Sequence, residues 1–173
     1  MKMTRGRRII VVKEKVSGSR LMPCSVTLLS VATKEKRDAM TASAMFVSEN
    51  PPLLVVSVAK HIVSHDLIEE AGKFVLNVAS TKQVKLAKQL GFTHGRDTDK
   101  FKRFNIPVGK ARKVKSPMIK GSFANIECRV ITSLSAANYI VYLAEVVAYK
   151  VDAKLTPVAW HQNKYFPLEK SLR

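Results

Sequence analysis

Apolar positions along this chain fall mainly in short runs rich in Val, Ile and Leu, the pattern of strands with at least one buried face. Such runs occupy residues 9–12, 25–32, 42–47, 53–59, 74–78, 125–133 and 139–151. The run at 53–59 is nearly unbroken and reads as a strand buried on both faces. Asn50-Pro51-Pro52 precedes it, a turn in which two prolines fix φ and remove backbone donors. Helical spacing occurs in two places. Residues 64–71 form one predicted helix, with Ser64 as N-cap and Gly72 as a left-handed terminator. The second starts at Ser80, where Gln83 completes a capping box, and runs through Val84, Leu86, Ala87 and Leu90 to Gly91. Beyond it, residues 91–107 (G-F-T-H-G-R-D-T-D-K-F-K-R-F-N-I-P) lose the pattern and read as a long polar, basic loop. Such a loop is either plain exposed surface or a binding segment. Many strands with few helices predict a mostly β fold with short helices, closed or nearly closed into a barrel. No repeat, low-complexity segment or linker interrupts the chain, so one domain over 1–173 is expected.

Composition narrows the class. With 173 residues, 46% of them hydrophobic, the chain can bury a substantial core. No apolar run reaches membrane-spanning length, and 9–12 is too short for a signal peptide, so a cytoplasmic address and no membrane partner are expected. Cys24 and Cys128 have neither metal spacing nor a disulfide framework and are expected as small apolar residues in strands. His61 and His65 stand four apart without H-E-x-x-H, so no metal site is expected; His65 is placed as a buttress of the helix start. Ser64 and His65 lack the oxyanion motif of a hydrolase. The formal charge of +17 raises nucleic acid as a partner. Aromatics are only 7%, however, and the basic clusters at 1–37 and 96–115 carry no stacking platform. The excess is therefore read as a solvated surface that also attracts anionic cofactors, with nucleic acid unlikely.

Candidate chemistry gathers between residues 37 and 78. Thr41, Ala42 and Ser43 are small and leave the backbone approachable. Lys60 and Ser64 follow the 53–59 strand, beside free N–H groups at a helix start. Hydroxyls, an ammonium and unpaired amides are what a phosphate needs. The glycine-rich nucleotide fingerprints G-x-G-x-x-G and G-x-x-x-x-G-K-[ST] are absent. A core strand followed by an ordinary capped surface helix would have the same spacing, and spacing alone leaves both open.

Longer blocks add a resemblance. D-A-M-T-A-S (38–43), P-P-L-L-V-V-S-V (51–58), S-H-D-L-I (64–68) and G-K-F-V-L-N-V (72–78) are similar to signature blocks of the flavin reductase-like, FMN-binding split-barrel family, which includes flavoredoxin. D-K-F (99–101), P-M-I-K-G-S-F-A-N-I-E-C-R-V (117–130) and Y-L-A-E-V (142–146) resemble later blocks in the same order, so the likeness spans roughly 20–168. It implies a homodimer of split β-barrels with FMN held non-covalently at the subunit interface. Carried over to this chain, Ala39, Met40, Thr41, Ala42 and Ser43 would line the cofactor, and Ser57, Val58 and Ala59 would run along its ring. Lys60, Ser64 and His65 would hold the phosphate, with Asn77 nearby. The long loop would approach the flavin or the dimer mate.

The resemblance also implies an oxidoreductase that moves electrons between NAD(P)H, or a redox partner protein, and flavin, with the redox chemistry supplied by the cofactor. Asp38 stands where many members have Asn, bringing a negative side chain toward an anionic cofactor. Ala59 replaces a residue that is commonly polar. Asn138-Tyr139 stands where pyridine-nucleotide-dependent members carry Asp-His, and Ala144 replaces a glycine. A non-catalytic FMN-binding electron carrier therefore competes with a reductase, and a basic β-barrel binding nucleic acid is a third, weaker alternative.

Overall fold

The computed structural model describes residues 21–96 and 98–169; the strand expected at 9–12 lies outside them. Seven strands form one antiparallel sheet: β2 (Thr27–Ala32), β3 (Arg37–Ala42), β4 (Ala44–Glu49), β5 (Pro52–Ala59), β6 (Lys73–Val78), β9 (Ala124–Ala136) and β10 (Tyr139–Val151). Their spatial order is β3-β2-β6-β9-β10-β5-β4. The two edge strands, β3 and β4, are neighbours in the chain with only Ser43 between them. Laid flat, seven strands at about 4.8 Å spacing would part those edges by roughly 29 Å. One residue spans only about 4 Å, so the sheet has to curl until its edges meet. The segment 25–27 holds the two sides of the seam: Thr27 Oγ1 donates to Ala42 O at 2.7 Å, and Ser25 Oγ donates to Ala44 O at 2.7 Å.

The expected strand at 42–47 is thus two strands broken at Ser43. Charged Arg37 and Asp38 hid the first from the hydrophobic pattern. Asp38 is buried in β3 because a lysine far along the chain neutralises it.

Both faces of β2, β3 and β6 are covered. Inside lie Leu29, Met40, Val56, Phe74, Leu76 and Tyr142, closed over by Val63, Leu67 and Ile68 of helix α1 (Val63–Ala71). Outside, Leu28 and Ala39 pack with Ala87 and Leu90 of α2 (Val84–Phe92) and with Phe101 of the short α3 (Lys100–Arg103). Adjacent residues such as Leu28 and Leu29 enter opposite cores, the period-2 alternation of a strand buried on both sides.

α1 ends at Gly72 (φ 60°), as expected, with its N–H on Ile68 O. Its start differs: Ile62 is the N-cap, with no side-chain bond, and Ser64 lies inside the first turn. The Ser80 capping interaction forms, with Gln83 Oε1 accepting from Ser80 N–H at 3.2 Å. Ahead of α2 it closes a single 3-10 turn over Thr81–Gln83.

Two buried polar residues fix the far wall. Asn77 donates to Leu28 O at 2.6 Å and accepts from Ile119 N–H at 2.8 Å, tying β2 and β6 to β8 (Met118–Ile119), which pairs with β7 (Val108–Gly109). The buried Glu127 carboxylate accepts the backbone N–H groups of Arg112, Lys113 and Val114 at 2.6–3.1 Å. A three-stranded sheet of β1 (Cys24–Ser25), β11 (Val158–His161) and β12 (Lys164–Pro167) lies beside the main one. Its hairpin turns on Gln162 and Asn163, both at positive φ (48° and 64°), as a tight two-residue loop requires.

Candidate functional site

β3 is a sheet edge, so one row of its peptide groups stays outside the ladder. Helices and the long loop are drawn onto it. Thr41 Oγ1 donates to Ala87 O of α2 at 2.6 Å, and Lys100 Nζ donates to Ala39 O at 2.7 Å. Lys100 also lies 3.0 Å from Asp38 Oδ1, while Ser64 Oγ donates to Asp38 Oδ2 at 2.7 Å. The negative side chain expected near the cofactor is thus neutralised within the protein.

A cleft of about 270 Å³ opens where β3, the β5–α1 turn and the long loop meet. Met40, Ile62 and Leu90 line it with apolar surface; Thr41, His61, His94 and Arg96 add polar and cationic groups. Arg96 Nη2 donates to His61 O at 3.3 Å, tying the long loop to the β5–α1 turn. An adjoining hollow of about 250 Å³ shares Thr41 and Gly91 with the cleft and adds Ala42, Ser43, Phe92 and Trp160.

The predicted site residues divide. Met40, Thr41, Ala42 and Ser43 border the two hollows, and Ala39 is buried just behind them. Val58 and Ala59 are buried and Ser57 is exposed, all outside both hollows. Lys60 Nζ reaches away to Ser135 Oγ at 2.8 Å. Ser64 and Asn77 are fully buried with their hydrogen bonds satisfied inside the protein. His65 Nδ1 meets Tyr142 OH at 2.5 Å, and that hydroxyl donates to Glu69 Oε1 at 2.7 Å. Burial and the Glu69 carboxylate push the Tyr142 phenol far above its ordinary range, so it stays neutral. His65 therefore joins α1 to β10, the structural role expected of it, and is not among the residues lining the cleft.

His61, His94 and Arg96 line the cleft but were not among the expected site residues. The visible signal was the loop itself, basic and marked by Gly91 and Gly95. Gly95 is required there: a Cβ would stand 2.5 Å from Asp38 Oδ1.

The residues present fit a flavin phosphate ester: a cationic, hydroxyl-bearing cleft beside the edge strand β3, next to a hollow with exposed aromatic surface. A profile of the flavin reductase like domain matches residues 19–169. The chain belongs to that family. The NADH-dependent FAD reductase of Streptomyces globisporus is 28% identical over 72% of this chain and 68% of its own. The flavin reductase of Pseudomonas putida is 28% identical over 82% and 79%. The crystal structure of flavoredoxin from Methanosarcina acetivorans superposes with a TM-score of 0.82 at 25% identity, covering 97% of this chain and 95% of that one.

Proposed function

We propose that the protein binds FMN against β3 and moves electrons between NAD(P)H, or a redox partner protein, and that flavin, working as a homodimer of split barrels. The observation that carries the proposal is the cleft at the β3 edge, where Thr41, His61, His94 and Arg96 converge beside apolar Met40 and Leu90. Arg96 supplies charge for the phosphate, and the backbone of the edge strand β3 would supply donors for the polar rim of the ring. Bound flavin would contribute the hydride- and electron-accepting chemistry; the chain's residues hold it, orient it and exclude water.

Dimerisation is supported by exposed apolar side chains on β4 (Met45, Phe46 and Val47) and on β9 (Ile131 and Leu134). Exposed apolar side chains of this size are costly in water and favour burial against another protein surface.

Tyr139, which is exposed, stands where a nucleotide-binding histidine was expected, and Asn138 O accepts Lys60 N–H at 3.0 Å. That substitution keeps a second reading in play, an FMN-bearing carrier that no pyridine nucleotide reduces directly. The experiment is anaerobic reduction of the purified yellow protein. Bleaching by NADH or NADPH establishes the reductase; bleaching by dithionite alone establishes the carrier. Flavin released on denaturation separates FMN from FAD by mass, and protein that takes up no flavin refutes the proposal.

A further inference from the structure

Three hollows join into one trough. The flavin cleft shares Gly95 and Arg96 with a second hollow of about 530 Å³, and that one shares Ala32, Thr33 and Lys34 with a third of about 510 Å³. Lys34, Lys36, Arg37 and Arg96 line the second; Lys73, Lys113 and Lys115 join Lys34 in the third. Among the described residues, Glu35, Asp99 and Glu70 oppose them. Among the described residues Asp99 is taken by Arg37 at 3.4 Å, and none of Lys34, Lys73, Lys113 or Lys115 has an ion-pair partner. Among the described residues seven cations face three carboxylates along the trough, so its field is positive.

The bed of the third hollow is rigid. Glu127 grips the amides of Arg112, Lys113 and Val114. Ser116 Oγ accepts from Ala32 N–H at 3.1 Å and donates to Lys73 O at 3.4 Å. The lysines rise from a pre-organised backbone, so little chain entropy is lost when a partner arrives.

We infer that this trough is the docking surface for an acidic electron-carrier protein, delivering or collecting electrons at the flavin; the inference rests on the function proposed above. The spread of like charge over two broad hollows suits a protein face better than a single phosphate. The hydroxyls that line the third hollow, those of Ser116 and Thr33, are both already bonded to backbone. None of the residues lining the second and third hollows is aromatic, so nothing there stacks bases. The trough opens into the flavin cleft, and complementary charge steers an acidic face toward it. Each docked one-electron carrier gives up one electron; two dockings and one proton from water take oxidised flavin to its two-electron-reduced anion.

The test titrates holoprotein with an oxidised, acidic two-cluster bacterial ferredoxin by calorimetry at low and moderate salt. Saturable binding is expected, weakened about tenfold or more by added salt and by the Lys113→Glu/Lys115→Glu variant. The charge-matched control Lys82→Glu/Lys85→Glu, on the exposed start of the 3-10 turn and α2, should shift affinity less than about threefold. Flavin content should be unchanged in both variants. No saturable binding at low salt, or equal losses in the two variants, overturns the inference. So does salt-steep binding of a DNA oligonucleotide through Lys113 and Lys115 with no ferredoxin binding. A colourless protein that still binds ferredoxin through these lysines refutes the flavin proposal and leaves the docking surface standing.

Discussion

Lys100 and Asp38 form an ion pair at 3.0 Å with both side chains about 1% exposed. Ala39 O and Ser64 Oγ supply the further hydrogen bonds that a buried pair needs. The pair binds the start of α3 to the edge strand and so fixes the base of the loop that carries Arg96. Removing one partner strands the other charge. Asp38→Asn is expected to cost about 3–5 kcal/mol of stability, measured by urea unfolding. The double variant Asp38→Asn/Lys100→Met should recover most of that loss. A double variant no more stable than the single one would mean that strain elsewhere, and not an unpaired charge, sets the cost.

Gly95 packs against the same carboxylate. An added Cβ would lie 2.5 Å from Asp38 Oδ1 and 2.8 Å from its Cγ, and the carboxylate cannot swing away without breaking its bonds to Lys100 and Ser64. Gly95→Ala should therefore destabilise by about 1–3 kcal/mol, as overpacking does. Thermal unfolding checks this. Gly72→Ala is a useful contrast, because it meets open space and suffers only from its positive φ.

Much of this architecture was legible because it is local. The runs at 53–59, 74–78 and 139–151 lie within β5, β6 and β10 almost to the residue, and Gly72 ends α1 as read. Strand β3 was not legible from Arg37 and Asp38, since the partner that lets Asp38 be buried lies beyond a loop, at Lys100. Nor was α3, a helix of four residues whose N-cap Asp99 accepts from Lys102 N–H at 3.2 Å. Thr41 and Ser43, singled out as small hydroxyl residues, do border the hollows. Lys60 and Ser64 looked like phosphate ligands by chain order, and only the three-dimensional path shows one turned to Ser135 and the other sealed under Asp38.

That contrast predicts which cation would hold the proposed FMN. Arg96 lines the cleft, whereas Lys60 does not. Arg96→Ala should weaken FMN binding by about 1–2 kcal/mol, the worth of a charge-assisted contact. Lys60→Ala should leave the dissociation constant within about twofold. Fluorescence titration of apoprotein with FMN measures both. The reverse order would return the phosphate to the β5–α1 turn.

Cys128 gives a readout of the core that needs no cofactor. It is fully buried between β6 and β10, and burial pushes its thiol from 9.0 up to about 12. In the native protein a thiol reagent near neutral pH should label Cys24, which is half-buried, and reach Cys128 only on unfolding. The same shift ties stability to alkaline pH. The unfolded thiol loses its proton above about pH 9 while the native one keeps it, so the unfolded state binds fewer protons and stability falls as pH rises. The slope from this group approaches about 1.4 kcal/mol per pH unit and ends as the native thiol ionises near pH 12. Lysines titrate in the same window, so the comparison is with Cys128→Val, which lacks the ionisation. The stability of the native sequence relative to that variant should drop steadily above pH 9 and stay flat below it. A constant difference would show that the thiol ionises equally in both states, and that β6 and β10 admit water at their centre.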